Sequence, residues 1–180
     1  MKTEFNEVAK TALTEIKYLF DSVDQEQIQM MVNLILDKRF DKIVGFGAGR
    51  MGYSLRAFIM RLSHIGLNTY MIGDTSFPRL DSKTLVIVNS SSGETPTSVL
   101  YAKQAQSAES IIITVTANKK SSLCEISDLA IDYNYSSSTQ IMKTLPEQFT
   151  FILFDVISEI IIKQMNGDRD KISYNHSISE

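Results

Sequence analysis

Hydrophobic and polar positions alternate along this chain on two different periods. Phe5, Val8, Ala9, Ala12, Leu13, Ile16, Leu19 and Phe20 recur at three- and four-residue spacing, which predicts an amphipathic helix. Asp24, with Gln27 three residues on, reads as a capping box opening a second helix that carries Ile28, Met31, Val32 and Ile35. Lys38 and Arg39 suit the carboxyl end of that helix, where its dipole favours cations. Residues 1–40 are therefore expected to form a leading helical hairpin, the kind of arm that packs against another subunit.

Beyond it, short apolar runs alternate with helical patterns. Strands are expected over 42–46, 68–72, 84–88, 110–115 and 129–133. Helices are expected over 50–63, 96–107 and 145–165, with a short one near 122–126; Pro96 suits a first helical position. This alternation implies an α/β fold with a parallel sheet and right-handed crossovers. The glycine-rich exit of the first run places it centrally, which gives a doubly wound five-stranded sheet of order 2-1-3-4-5. In such a sheet the ligand crevice opens between the turns that follow strands one and three. No repeat or linker divides the chain, so 1–180 is expected to be one domain, with an α/β core over 41–165 and a polar tail over 166–180.

Both of those turns suit an anion. Gly47-Ala48-Gly49-Arg50-Met51-Gly52 lets the backbone close on a ligand, with the free N–H groups of the next helix behind it. The alternative is that these glycines only let strand and helix pack closely. After the third strand, Asn89-Ser90-Ser91-Ser92-Gly93-Glu94-Thr95 sets four hydroxyls before a helix. Hydroxyls and amides on a helix dipole can hold a phosphate dianion without a lysine; the alternative is a Ser-rich turn with one capping residue. Lys119 and Lys120 follow strand four on the same edge and read as solvated. The first turn is also a literal GxGxxG, with Asp74 beyond strand two, as in a dinucleotide site. Asp74, however, lies past the strand tip, and no second domain for a hydride acceptor is expected from the pattern of 1–180.

Composition narrows the partners. A formal net charge of −3 argues against nucleic acid or an anionic membrane, so an anionic ligand must be held by local dipoles and hydroxyls. A single cysteine, Cys124, excludes an internal disulfide and a Cys-based zinc site and suits a reducing compartment. The most apolar stretch, 149–165, carries Asp155, Glu159 and Lys163 and does not read as a membrane span. Lys2, Glu4, Glu7 and Lys10 interrupt any signal peptide, and a cytoplasmic location is expected. For proton chemistry the candidates are His64, His176 and Glu147. Each also has a structural reading: His64 as a helix cap, His176 as a tail residue, Glu147 as a dipole partner in a first helical turn.

Taken together, these motifs resemble the sugar isomerase (SIS) domain family, and within it the phosphohexuloisomerases. The resemblance covers roughly 23–180. It rests on Gly47 to Arg50 with Gly52; Arg61-Leu62 with His64 and Gly66; Gly73-Asp74-Thr75 with Pro78; and Ser90 with Ser92-Gly93-Glu94-Thr95. It continues through Val115-Thr116 with Asn118, Ser121-Ser122-Leu123, Gln140, Met142, Leu145, Glu147-Gln148, His176 and Glu180. The resemblance implies a flavodoxin-like fold, a homotetramer without metal or other cofactor, and interconversion of 3-hexulose 6-phosphate and fructose 6-phosphate. Ser90, Ser92 and Thr95 would hold the phosphate, with Ser91 in the same loop. Gly47, Ala48, Gly49, Arg50 and Asn89 would lie along the sugar, and Glu147 matches the base. His64 and His176 match histidines near the site, and in such tetramers His64 and Glu147 need not share a chain. Met51 stands where the family usually has Ser, Ser91 where it has Gly, and Ile141, Lys143 and Pro146 interrupt the run before Glu147. A sugar-phosphate-binding domain without catalysis, or an isomerase of another phosphosugar, remain the alternatives.

Overall fold

Every residue of Thr84–Asn89 is buried, which requires a strand covered on both faces by other elements. A computed structural model of the chain, describing residues 2–167 and 169–176, shows how that cover is built. Helices α1 (Lys2–Asp21) and α2 (Gln25–Leu36) lead into β1 (Lys42–Gly47), α3 (Gly49–Ile65) and β2 (Thr69–Met71). Then come β3 (Thr84–Asn89), α4 (Pro96–Ser107), β4 (Ile111–Thr116), α5 (Ser122–Ile126) and β5 (Leu129–Asp132). The chain continues through α6 (Thr144–Gln164) and α7 (Arg169–Tyr174).

The five strands form one sheet in the order β2-β1-β3-β4-β5, each pair parallel, as the sequence pattern implies. The register puts Gly47 opposite Asn89 and Asn89 opposite Val115, so the exits of β1, β3 and β4 lie side by side. One face buries Leu55, Phe58, Leu62, Phe149, Leu153 and Ile157 under α1, α2, α3 and α6. The Phe58 and Phe154 rings stack at 4.8 Å between α3 and α6. The other face packs Val86, Val88 and Ile112 against Ala102, Ala105 and Leu123 of α4 and α5.

Three local expectations are corrected. Asp24 caps α2 by accepting from the Glu26 N–H at 2.8 Å, but Gln27 does not close a box. Its side chain instead accepts from the Asp132 N–H at 3.2 Å and donates to the Asp132 carboxylate at 3.3 Å, satisfying the exposed rim of edge strand β5. Lys38 and Arg39 fall beyond α2, which ends at Leu36; Arg39 turns back onto Asp37 at 3.0 Å. The polar tail contains α7, whose Ile172 packs against the core; one apolar side chain is too little to show a period. Residues 177–180, including Glu180, lie outside the described residues. Among the described residues no helix is long and apolar enough to cross a membrane.

β1 and α3 meet backbone to backbone. A Cβ on Gly52 would lie 2.2 Å from the Gly47 carbonyl oxygen. Gly52→Ala is therefore expected to lower the unfolding free energy by about 1–3 kcal/mol, as overpacking does. Chemical denaturation checks this, and an unchanged midpoint would contradict the contact.

Candidate functional site

The glycines of the first turn divide their work. Gly47 and Gly52 serve the strand–helix contact, so the close-packing alternative accounts for those two. Gly49 does not: its φ is 56°, and a Cβ there would meet open space. It turns the chain into α3, whose N-cap, Ala48, offers no side-chain cap. The amides of that first turn are left for an external acceptor. Asp74, the acid of the dinucleotide alternative, accepts from Arg56 Nη1 at 3.0 Å instead.

The second turn is anchored at both ends. Asn89 is fully buried, and its Nδ2 donates to the Met51 carbonyl and to Ser54 Oγ, both at 2.9 Å, and to Thr150 Oγ1 at 3.3 Å. At the far end the Glu94 carboxylate accepts from the N–H of Ser122 at 2.7 Å and from its hydroxyl at 2.8 Å. Those two hydrogen bonds, the backbone one foremost, hold Glu94 below the usual carboxylate range. Across the loop Ser90 Oγ and Thr95 Oγ1 lie 3.1 Å apart, and exposed Ser92 accepts from the Glu94 N–H at 3.2 Å. Thr95 is the N-cap of α4 and makes no side-chain cap bond. The hydroxyls thus bunch at an uncapped helix start. Lys119 is exposed, as its sequence position suggests, and also pairs with Asp132 at 2.9 Å, which raises its pKa.

Glu147 faces the first turn from the start of α6. Its Oε2 lies 2.5 Å from Arg50 Nε; the Glu147 side chain is 15% exposed and that of Arg50 65%. With Tyr53, Ser54, Gln148 and Phe151 they line a cleft of about 470 Å³. Ser54 Oγ also lies 3.1 Å from the buried Thr150 Oγ1, which ties α3 to α6 at this end.

The same geometry separates the histidines from it. His64 is fourteen residues beyond Arg50 on α3, about 21 Å along the axis. His64 meets His176 there, ring centroids 4.9 Å apart, and His176 lines a second cavity of about 540 Å³ with Arg61, Asp155 and Glu159. Within one chain, then, Gly47 to Arg50, Asn89 to Thr95 and Glu147 converge, and His64 and His176 gather elsewhere.

At the convergent end the sequence assigned no role to Ser98, Tyr133 or Gln148, and it did not show that Asn89 and Ser91 keep unmatched polar atoms. Asn89 Oδ1, Ser91 Oγ, Ser98 Oγ, Tyr133 OH and Gln148 Oε1 are buried without a hydrogen-bond partner. Such atoms are uncommon inside proteins, and these belong to the β3–α4 segment or to elements beside it. The Ser91 and Tyr133 hydroxyls face each other without closing a well-formed bond; burial drives the Tyr133 pKa up, against the Ser91 contact. A serine or glutamine inside a helical pattern carries no sign of this; only the fold assembles it. Among the described residues no group of three or more His, Cys, Asp or Glu side chains is placed to hold a metal ion.

The leading hairpin also serves this end. Glu15 of α1 accepts from Ser138 Oγ at 2.8 Å, the Thr139 N–H at 3.0 Å, Thr139 Oγ1 at 3.2 Å and Gln140 Nε2 at 3.0 Å. It thereby orders the loop that delivers Glu147.

Known proteins share this chain's sequence family and fold. The family model of the SIS domain matches residues 34–158. The chain is 30% identical over 186 residues to a 3-hexulose-6-phosphate isomerase of Bacillus subtilis, covering 98% of both chains. It is 37% identical over 116 residues to an uncharacterized protein of Archaeoglobus fulgidus; that match spans 64% of this chain and 62% of the relative. A Methanococcus jannaschii protein, whose crystal structure infers a molecular function of 3-hexulose-6-phosphate isomerase, superposes with a TM-score of 0.86. That protein is 30% identical, with 95% of this chain and 98% of the other covered.

Glu15 makes the loop sensitive to acid. Burial alone would raise its pKa, but the hydrogen bonds from Thr139, Gln140 and Ser138 together hold it below 4.5. A carboxyl depressed on folding stabilises the fold above its unfolded pKa, and that contribution is lost as pH falls through the folded value. Glu15→Gln should speed amide exchange at Thr139 at neutral pH. It should also flatten the loss of stability below about pH 4.5; equal exchange rates in both proteins would refute the anchor.

Proposed function

The chain belongs to the SIS domain family, and we propose that it is a phosphosugar isomerase interconverting 3-hexulose 6-phosphate and fructose 6-phosphate. The observation that carries this reading is a sheltered carboxylate, Glu147, in a cleft at the same sheet edge as a hydroxyl-lined, uncapped helix start. Ser90, Ser92 and Thr95, with the first amides of α4, hold the phosphate by dipoles and hydroxyls. That grip is remote from the reacting carbons and orients them. Gly47 to Arg50 lie along the sugar, and Ser91 supports the loop from below. Asn89 contributes by holding the turns in register, because its amide donors are used inside the protein.

In the hexulose-to-fructose direction, Glu147 takes the proton from C2, leaving an enediol across C2 and C3. The proton returns to C3 while a hydroxyl proton passes from the C2 oxygen to the C3 oxygen. Oxidation at one carbon balances reduction at its neighbour, so the reaction needs no redox cofactor. The long, exposed Arg50 side chain lets the guanidinium leave Glu147 for an anionic ligand as substrate enters. Imidazole can pass hydroxyl protons near neutral pH. His64 and His176 fill that role only from a neighbouring copy, given their distance from Glu147 in their own chain. A homotetramer supplies such a neighbour. The apolar side chains of Phe5, Val8 and Leu13, 73%, 67% and 68% exposed along α1, support self-association. The setting proposed is the ribulose monophosphate pathway in the cytoplasm.

A coupled assay for fructose 6-phosphate formation tests the reaction. Glu147→Gln should cut turnover by about 10²–10⁴ with substrate binding retained; a fully active variant would remove the base. Fructose 6-phosphate should bind more tightly than fructose, and equal affinities would contradict the phosphate loop. Binding without turnover in the unaltered protein would select a sensor instead of an enzyme.

A further inference from the structure

Gln148 is the cleft residue whose chemistry nothing inside the protein uses. It follows Glu147 in the first turn of α6, is half-buried, and lines the same cleft as Arg50, Tyr53 and Phe151. Its Oε1 is closed off from solvent, and no donor of the protein reaches it. The polar neighbours are already committed. Ser54 Oγ donates to the Met51 carbonyl at 2.9 Å, Thr150 Oγ1 to the Glu147 carbonyl at 3.3 Å, and Arg50 pairs with Glu147. A leucine or methionine would fill this space without burying an unmet carbonyl. The position therefore suits a donor that arrives with a ligand.

The surroundings restrict what that donor is. A cation would meet the Arg50 guanidinium, and an anion would meet the carbonyl and the Glu147 carboxylate. A neutral hydroxyl fits both, and an amide can accept from it and donate to it. The last torsion of glutamine is broad, so the group can turn its oxygen into the cleft at small cost. We propose that Gln148 is a specificity residue that binds a hydroxyl of the sugar chain beside the carbons on which Glu147 acts. This rests on the phosphosugar reading of the same site. It adds a selection for a hydroxylated chain to the phosphate grip, because an amide left unmatched penalises an analogue lacking the hydroxyl.

Calorimetry on the full chain tests it, with fructose 6-phosphate and inorganic phosphate as separate probes. Gln148→Met should weaken fructose 6-phosphate about tenfold, the worth of one hydrogen bond. Phosphate affinity should not change, and the unfolding midpoint should not fall. In the unaltered protein one monodeoxy analogue of fructose 6-phosphate should lose the same factor, and in the variant that analogue should lose nothing further. The analogue series stands on the unaltered protein alone should the variant fold poorly. Equal fructose 6-phosphate affinity in both proteins, or analogues that all bind like the parent, overturns the proposal while the isomerase assay still judges the wider reading. Parallel losses of phosphate affinity and thermal stability would make Gln148 structural and also overturn it. No binding of either probe to the unaltered protein would sink the site itself, and this proposal with it.

Discussion

One buried amide holds the functional end of this molecule together. Asn89, the last residue of β3, donates to a carbonyl and a hydroxyl of α3 and to a hydroxyl of α6. Three elements far apart in sequence are thereby pinned within hydrogen-bond distance of one side chain. A central strand that is buried on both faces has little freedom to shift, so it makes a fixed point for such a knot. Directly past Asn89 the chain becomes the hydroxyl loop; from α3 and α6 come Arg50 and Glu147. The relative positions of the two turns proposed to hold the anion and of the carboxylate follow from this single tie and the backbone contact of Gly47 with Gly52.

The two halves of the molecule's energetics are spatially divided. Apolar packing between α3 and α6, through Leu55, Phe58, Phe149 and Phe154, stabilises the fold without regard to what lies at the strand exits. Those exits hold polar atoms that the fold leaves unmatched, including Asn89 Oδ1, Ser91 Oγ and Gln148 Oε1. Each unmatched atom costs stability that the core must offset. Concentrating that cost at the strand exits, and not across the core, is what a binding site requires. The helices that give the site its stiffness also carry His64 to the opposite end. One straight helix cannot bring both of its ends to the same ligand, so a second copy is the physical route to a site that uses both.

Much of this was legible in the residues. Parallel order 2-1-3-4-5 followed from alternating short apolar runs and helical periods, because a parallel strand needs a crossover and crossovers have one hand. The glycine turn and the serine turn were visible as composition breaks after strands, and the topology put them side by side as expected. Capping at Asp24 was readable because it is local. What failed to show was long-range: Gln27 answered an edge strand over a hundred residues away, Lys119 found Asp132, and α1 proved to anchor the loop before Glu147. A side chain's polar partner is chosen by proximity in space, and a single sequence carries no measure of it.

By itself the sequence determined the layers, the strand order, the two turns and the chemical kinds gathered in them, since period, turn residues and chain direction are local properties. Tertiary structure alone decided that Asn89 faces inward, that Glu147 meets Arg50, and that His176 joins His64 at the far end of α3, about 21 Å along the axis from Arg50. It also decided that Gln148 is left with an unanswered carbonyl. Distance and burial between remote residues arise only when the helices close over the sheet.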